Sequence, residues 1–245
     1  MRRFILTAVV TGTALALAAT PALAVNSPLK FEASISPTKA GTKSKPAPVA
    51  LNLRPFYDTL APDADAPFAW TEATIYLPKE LVFNAKHFKS CTKVKVQNPA
   101  TRNGCASAKI GNVAAKGFAL GLVEPLVVGL YNGPGGNTVL LHIVGDTPVI
   151  IDAVVEGKLV KVSGKYGWEM HFGVPADLQQ PAPGAFATPL DFKSTVAKRT
   201  IKKGNQKVPF VGLTGCPTGS LNFGFGAKYT DGTSSLVELT QPCKK

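Results

Sequence analysis

The chain has 245 residues, with 27 lysines and arginines against 15 aspartates and glutamates, a formal charge of +12, four cysteines and three histidines. With 45% hydrophobic and 17% charged residues it can bury a core, which excludes a disordered polyelectrolyte; after Ala24 the most apolar run, Ala119 to Tyr131, is broken by Glu124 and Pro125, which excludes a later transmembrane helix. The basic excess argues solubility and attraction to anionic polymers or surfaces, without naming a partner.

Arg2 and Arg3 precede an apolar run from Phe4 to Ala19, and Ala22-Leu23-Ala24 supplies small residues for a signal peptidase. Residues 1–24 are therefore expected to be a signal peptide, with cleavage leaving Val25 as the first residue. Lipid anchoring is excluded, because Val25 stands where a lipidated cysteine would be needed and the first cysteine is Cys91. The paired arginines sit directly against the apolar run, so they leave Sec and twin-arginine export undecided.

Residues 25–48 form an N-terminal strand, in which Phe31, Ala33 and Ile35 alternate, followed by an exposed loop rich in Pro, Lys and Thr. From residue 49 to 245 the chain reads as one all-β domain. Val49, Leu51 and Leu53 alternate toward a core, as do Ala73, Ile75 and Leu77; Asp58 to Pro67 between them reads as a loop. Asn84 is expected to cap one helical turn ending at Phe88. Strands are expected over 109–117 and 126–131, a turn at Asn132 to Asn137, and a strand over 138–144. Glu156-Gly157 has the form of a tight hairpin turn between 149–155 and 158–162. Trp168, Met170 and Phe172 share one face, and the proline-bearing stretch 175–189 is expected to cross between sheets. Asp191 to Ile201 and Val208 to Leu213 are expected to pair across Gly204-Asn205.

The last hairpin places Leu221, Phe223, Phe225, Ala227 and Tyr229 on one face, turns at Asp231-Gly232 and returns through Leu236, Val237 and Leu239. Short strands at this spacing, with little helix, predict a single β-sandwich of about twelve to fourteen antiparallel strands. Four cysteines in an exported chain allow three pairings; proximity favours Cys91 with Cys105 and Cys216 with Cys243. Closing loops of roughly 15 and 28 residues contributes about 3 and 3.6 kcal/mol in the chain-entropy treatment. No Cys-x-x-Cys and no histidine near Cys216 or Cys243 suggests zinc.

Chemistry is sparse. There is no Gly-x-Ser-x-Gly elbow, and Gly133 to Gly136 lacks the lysine and hydroxyl of a phosphate loop. His87 reads as a solvated loop residue and His142 as a packed strand residue; His171 with Glu169 on one strand face makes only a two-ligand pair. Asp58, Asp63 and Asp65 read as solvated loop acids without calcium-loop spacing. No catalytic residue, metal or cofactor is assigned.

The most unusual composition lies in 193–207, where Lys193, Lys198, Arg199, Lys202, Lys203 and Lys207 occur without an acid. These residues are candidates to bind an anionic envelope polymer. Edge lysines also guard sheets against strand addition, and the absence of aromatics in this stretch argues against a specific nucleic acid.

Leu77-Pro78-Lys79-Glu80-Leu81 before the first cysteine, Cys105 to Gly111 after it, and Cys216-Pro217 with Tyr229 to Gly232 and Pro242-Cys243 carry a resemblance. On these residues the chain, from about Ala50 onward, resembles a group of exported actinobacterial β-rich proteins of uncharacterised function. One departure is Ala106, where the group leads one to expect proline. The resemblance implies an exported β-rich protein with two local disulfides and transfers no catalytic residue. The leading expectation is a non-enzymatic β-sandwich, secreted or associated with the cell envelope, with a structural or binding role. The alternatives are a binding module for an anionic envelope polymer through the basic hairpin, and a secreted hydrolase.

Overall fold

Alternating apolar residues on short strands require a sheet with one buried face. The computed structural model, which describes residues 28–58 and 68–245, supplies one continuous sheet of eleven strands. The proposed signal peptide, Asp63 and Asp65 lie outside the described residues. In chain order the strands are β1 (Leu29–Ser36), β2 (Ala47–Pro48), β3 (Ala50–Tyr57), β4 (Trp70–Leu77), β5 (Leu81–Phe83), β6 (Lys109–Ala119), β7 (Leu122–Asn132) and β8 (Thr138–Gly145). They continue as β9 (Ile151–Lys161), β10 (Trp168–Gly173), β11 (Ala187–Val196), β12 (Thr200–Lys203), β13 (Gln206–Pro209), β14 (Val211–Leu213), β15 (Ser220–Tyr229) and β16 (Ser234–Pro242).

The large sheet has the order β1-β3-β11-β6-β7-β8-β9-β10-β4-β15-β16, each neighbour antiparallel. Its two edge strands pack against each other, so the sheet curls into a nearly closed barrel. The chain is all-β with little helix, as expected, but the two facing sheets of a sandwich are replaced by one curved sheet whose apolar faces meet across its interior. Alternation along a strand reports a buried face and is silent on whether that face meets a second sheet or its own far side.

Parity governs the seam. Eleven strands joined by ten antiparallel pairings leave the first and last strands running in the same direction, so β1 and β16 meet parallel, and the isolated bridge Lys39–Lys244 is parallel. Among the described residues no ladder joins β1 to β16; the Gln241 side chain stands in for one. Its Oε1 accepts from the Ile35 amide at 2.8 Å and its Nε2 donates to the Ile35 carbonyl at 3.2 Å.

One end of the barrel is closed. The small sheet β2-β14-β5 lies across it, carrying the fully buried Leu213 and Val211, and Phe210 meets Phe88 edge-on at 5.0 Å. Cys216, just after β14, is bonded to Cys243 at the end of β16, and Cys91 is bonded to Cys105, as proximity favoured. Inside the Cys91–Cys105 loop lie two short helices not foreseen from sequence, α1 (Lys93–Gln97) and α2 (Pro99–Arg102), capped by the Thr92 and Asn98 side chains. They cover the outer wall over Tyr131, Leu140 and Val154.

Three further expectations are corrected. Glu156-Gly157 is not a turn: β9 runs straight through it, and Gly157 is needed because a Cβ there would lie 2.3 Å from Cε1 of Phe172. Asn84 does not cap the helical turn over Ala85–His87; its side-chain amide donates to the Pro209 carbonyl instead. The basic stretch is not one long hairpin. β11 belongs to the barrel wall, only β12 and β13 pair across Gly204-Asn205, and β14 joins the small sheet.

Candidate functional site

An eight-stranded barrel is just wide enough for its own side chains to fill. Eleven strands enclose more, and small residues on one side, Gly117 and Ala119, line space that they do not fill. The opposite side is packed by a cluster of rings. Phe31 and Phe225 lie 5.6 Å apart, Phe225 and Trp70 5.2 Å apart, and Trp70 donates from Nε1 to the Tyr57 hydroxyl at 2.8 Å. Burial pushes the Tyr57 hydroxyl pKa well above its usual value, so it stays a neutral link between Trp70 and Tyr229.

Between these sides lies an apolar cavity of about 200 Å³. Leu53, Leu130, Leu141, Val155 and Phe192 form its walls, and Phe83, Phe210 and Val211 its floor. Three polar side chains on its lining are already engaged: Ser194 donates to the Leu53 carbonyl at 3.1 Å, Thr188 to the Phe68 carbonyl at 3.2 Å, and Thr138 accepts from Lys158 at 3.0 Å; Glu124 and Asn137 are the other polar side chains there. The space therefore presents hydrocarbon. An engineered apolar cavity of about 150 Å³ is enough to hold benzene.

The mouth lies at the end opposite the small sheet, where β6 turns into β7 and β8 into β9. A short helix, α3 (Ala176–Gln179), crosses it and places Leu178 and Val174 on the cavity lining. The proline-bearing stretch expected to cross between sheets thus crosses the mouth. Glu124 stands at this end, only 2% exposed, and its Oε1 accepts from the Thr147 amide at 3.2 Å. Burial raises its carboxyl pKa, opposed by the backbone amides of Thr147, Val149 and Asp146. A Cβ at residue 145 would lie 2.3 Å from this Oε1, so Gly145 provides the slot in which the carboxylate reaches that loop.

This cavity has no local signature in the sequence, because its lining comes from eleven strands, nine of the large sheet and two of the small one. The expected basic residues are placed in two groups. Lys193 projects from β11 on the barrel wall, whereas Lys198, Arg199, Lys202, Lys203 and Lys207 lie on and before the β12–β13 ribbon at the closed end. Arg199 is already engaged, donating to the Lys109 carbonyl. Lys43, Lys79 and Lys245 line an open groove beside Cys216 and Pro217 at the same end, which the sequence reading did not single out.

The three histidines lie apart and none lines the cavity. His87 is near Lys86 and Lys203 at the closed end; partial burial and then those two cations lower its pKa. His142 is buried beneath the helices, its Nε2 2.6 Å from Asp152 Oδ1, which Arg102 also approaches. That imidazole and that guanidinium hold the Asp152 carboxyl pKa below its usual range, with the hydrogen bond to His142 the larger cause. His171 does share a face with Glu169, at 3.0 Å, on the outer wall, where Glu72 and Lys228 pair at 2.9 Å. Among the described residues no group of three or more His, Cys, Asp or Glu is arranged to hold a metal. Asp58 pairs with Lys30 rather than standing free.

The outer wall carries Glu32, Arg54, Lys116, Glu156, Lys158 and Glu169, an apolar interior under a charged exterior. A transmembrane barrel has the opposite arrangement, an apolar outer band around a polar lumen. No protein-family model, curated protein or solved structure matches this chain.

Proposed function

We propose that this is an exported, non-enzymatic binding protein of the cell envelope whose ligand is a small apolar molecule held inside the barrel. The observation that carries the reading is the apolar cavity of about 200 Å³, floored at one end and bounded by α3 at the other. A predominantly hydrocarbon-lined space, with Ser194, Thr188 and Thr138 already partnered, favours ligands with little polarity, since a polar ligand would lose more water than it gained in partners. Two disulfides fit an oxidising compartment, which supports export.

Titration with the apolar fluorophore N-phenyl-1-naphthylamine tests this. Saturable, near-equimolar enhancement is expected for the parent protein, and Val155→Phe, which grows a ring into the cavity, is expected to fold and lose the enhancement. Leu141→Ala, which enlarges the space, is expected to keep it. The reading fails if the parent shows no saturable binding or if Val155→Phe binds like the parent.

A second reading is favoured by the clustering of Lys43, Lys79, Lys86, Lys198, Lys202, Lys203 and Lys245 at the closed end: attachment to an anionic envelope polymer. It predicts salt-sensitive retention on isolated cell walls. Unchanged retention after Lys198, Arg199, Lys202 and Lys203 are all replaced by Ser would sink the ribbon's part in it.

A further inference from the structure

The loops around the mouth are unlike the rest of the surface. Residues 117–123, 147–151 and 178–190 contain no charged side chain, although the chain as a whole is 17% charged; the exposed acids Asp146 and Asp177 adjoin the last two stretches. They sit side by side on the rim, because β11, β6, β7, β8 and β9 are consecutive in the sheet. From this arc Leu120 is 57% exposed, Leu122 56%, Val123 53%, Ile150 86% and Phe186 57%. The same arc borders the cavity, whose lining includes Ala119, Ile151 and Ala187, the immediate neighbours of Leu120, Ile150 and Phe186.

Leu120 adds an independent observation. It is the one non-glycine residue with positive φ among the described residues, at 52°, followed by Gly121 at 78°. A hairpin turn with both central residues left-handed selects Asn-Gly or Asp-Gly, and a leucine there is strained. Folding alone gives no reason to put a large apolar side chain, mostly in water, at the one position that asks for a small polar one.

We infer that this arc of exposed apolar tips docks on a phospholipid bilayer, so that the mouth opens against the lipid surface. The docking stands on the rim itself; only the further step, that the cavity exchanges its ligand there, rests on the cavity reading. Side chains on separate loop tips suit a deformable hydrocarbon layer better than the flat, complementary surface a second copy would need. Charge is placed accordingly. Lys116 is exposed on the outer wall four positions before Leu120; its cross-strand neighbour Asp191 is paired with Arg54 at 2.7 Å, and no carboxylate lies within ion-pair distance of Lys116 among the described residues. Four residues of strand, at about 3.3 Å each and tilted by about 40°, put it roughly 10 Å behind the tip. Apolar side chains of interfacial proteins reach about 5–10 Å into the headgroup boundary, so Lys116 would stand level with the lipid phosphates.

Co-sedimentation with large unilamellar vesicles of phosphatidylcholine, with and without phosphatidylglycerol, tests the inference. The parent is expected to partition onto both, more onto the anionic vesicles, with only that increment lost in high salt. The variant Leu120→Asn/Ile150→Ser/Phe186→Ser is expected to lose at least about 30-fold in partitioning, because each half-exposed apolar side chain supplies several-fold. Leu120→Asn alone should be as stable as the parent or more so, since asparagine tolerates the left-handed turn, which separates lost docking from lost folding. N-phenyl-1-naphthylamine binding in vesicle-free buffer should survive in the triple variant, whose replaced side chains are outside the cavity lining, so the two readings fail separately. The docking inference is overturned if the parent stays in the supernatant, if the triple variant sediments like the parent, or if the rim substitutions abolish a concentration-dependent dimer instead.

Discussion

Replacing Gln241 by leucine should unzip the seam of the barrel. The substitution keeps the size of the side chain and removes both of its hydrogen bonds, at 2.8 Å from the Ile35 amide and 3.2 Å to the Ile35 carbonyl. Ile35 is 2% exposed, so neither backbone group has water waiting for it in the closed barrel. An unpaired buried donor or acceptor costs about 1–3 kcal/mol. Two of them, with some water admitted along the partly exposed Gln241 position, give an expected loss of about 2–4 kcal/mol, a large part of the roughly 5–15 kcal/mol that holds a domain folded. Urea unfolding measures the loss, and hydrogen exchange at the Ile35 amide localises it. Gln241→Glu sharpens the argument. A protonated carboxyl offers the same donor and acceptor, so its pKa in the folded state is raised above the unfolded value. Its stability is therefore complete below the unfolded pKa and is lost as pH rises through the folded pKa, ending near the leucine variant. A leucine variant within about 0.5 kcal/mol of the parent, with Ile35 protection unchanged, would show that packing of β1 on β16 closes the barrel without the amide.

Glu124→Gln keeps an acceptor for the Thr147 amide and removes a buried charge. Because burial raises the Glu124 pKa, the parent loses stability as pH rises through the folded value, so the variant should match it at about pH 4 and exceed it at about pH 7 in urea midpoints. Gly157→Ala would drive a Cβ to 2.3 Å from the Phe172 ring and should cost about 1–3 kcal/mol in the same assay. Changing both Cys216 and Cys243 to Ser releases a loop with a sequence separation of 27 and should cost up to about 3.6 kcal/mol. Exchange should rise first at Val211 to Leu213, the central strand of the small sheet, and unchanged exchange there would show that the floor does not depend on this bond.

Period-two alternation, turn chemistry and proximity were legible in the last hairpin and in the cysteines. The burial of Leu221, Phe223, Phe225, Ala227 and Tyr229, the turn at Gly232 with its φ of 84°, and both disulfides follow from period-two alternation, turn chemistry and proximity. The failures have physical causes. Glu156-Gly157 resembles a turn because glycine serves turns, yet here it serves the approach of a ring from a neighbouring strand. A strand was expected only from residue 126, after Glu124-Pro125, yet β7 begins at Leu122; β8 pairs with β7 only from Val127 onward, so Pro125 needs no amide donor on that side. The cavity was illegible because its volume depends on the number of strands around the barrel, which no stretch of sequence states. Leu120 differs: beside Gly121, a bulky apolar residue before a turn glycine is a signal that the sequence itself carries.

The fold places its covalent and hydrogen-bonded restraints unevenly, and that bears on how a ligand would pass. The small sheet, the Cys216–Cys243 bond and the Gln241 amide all brace the closed end or the adjacent seam. The mouth has no comparable brace among the described residues. α3 is a single helical turn without a side-chain cap, and the 146–150 loop is tied to the wall through Glu124. Opening the floor would require breaking a disulfide or a three-stranded ladder, whereas opening the mouth requires moving one turn of helix and one hydrogen-bonded loop. If the cavity takes a ligand, exchange belongs at the rim that carries Leu120, Ile150 and Phe186, and the Glu124 tether is the contact that any opening toward β7 and β8 must release.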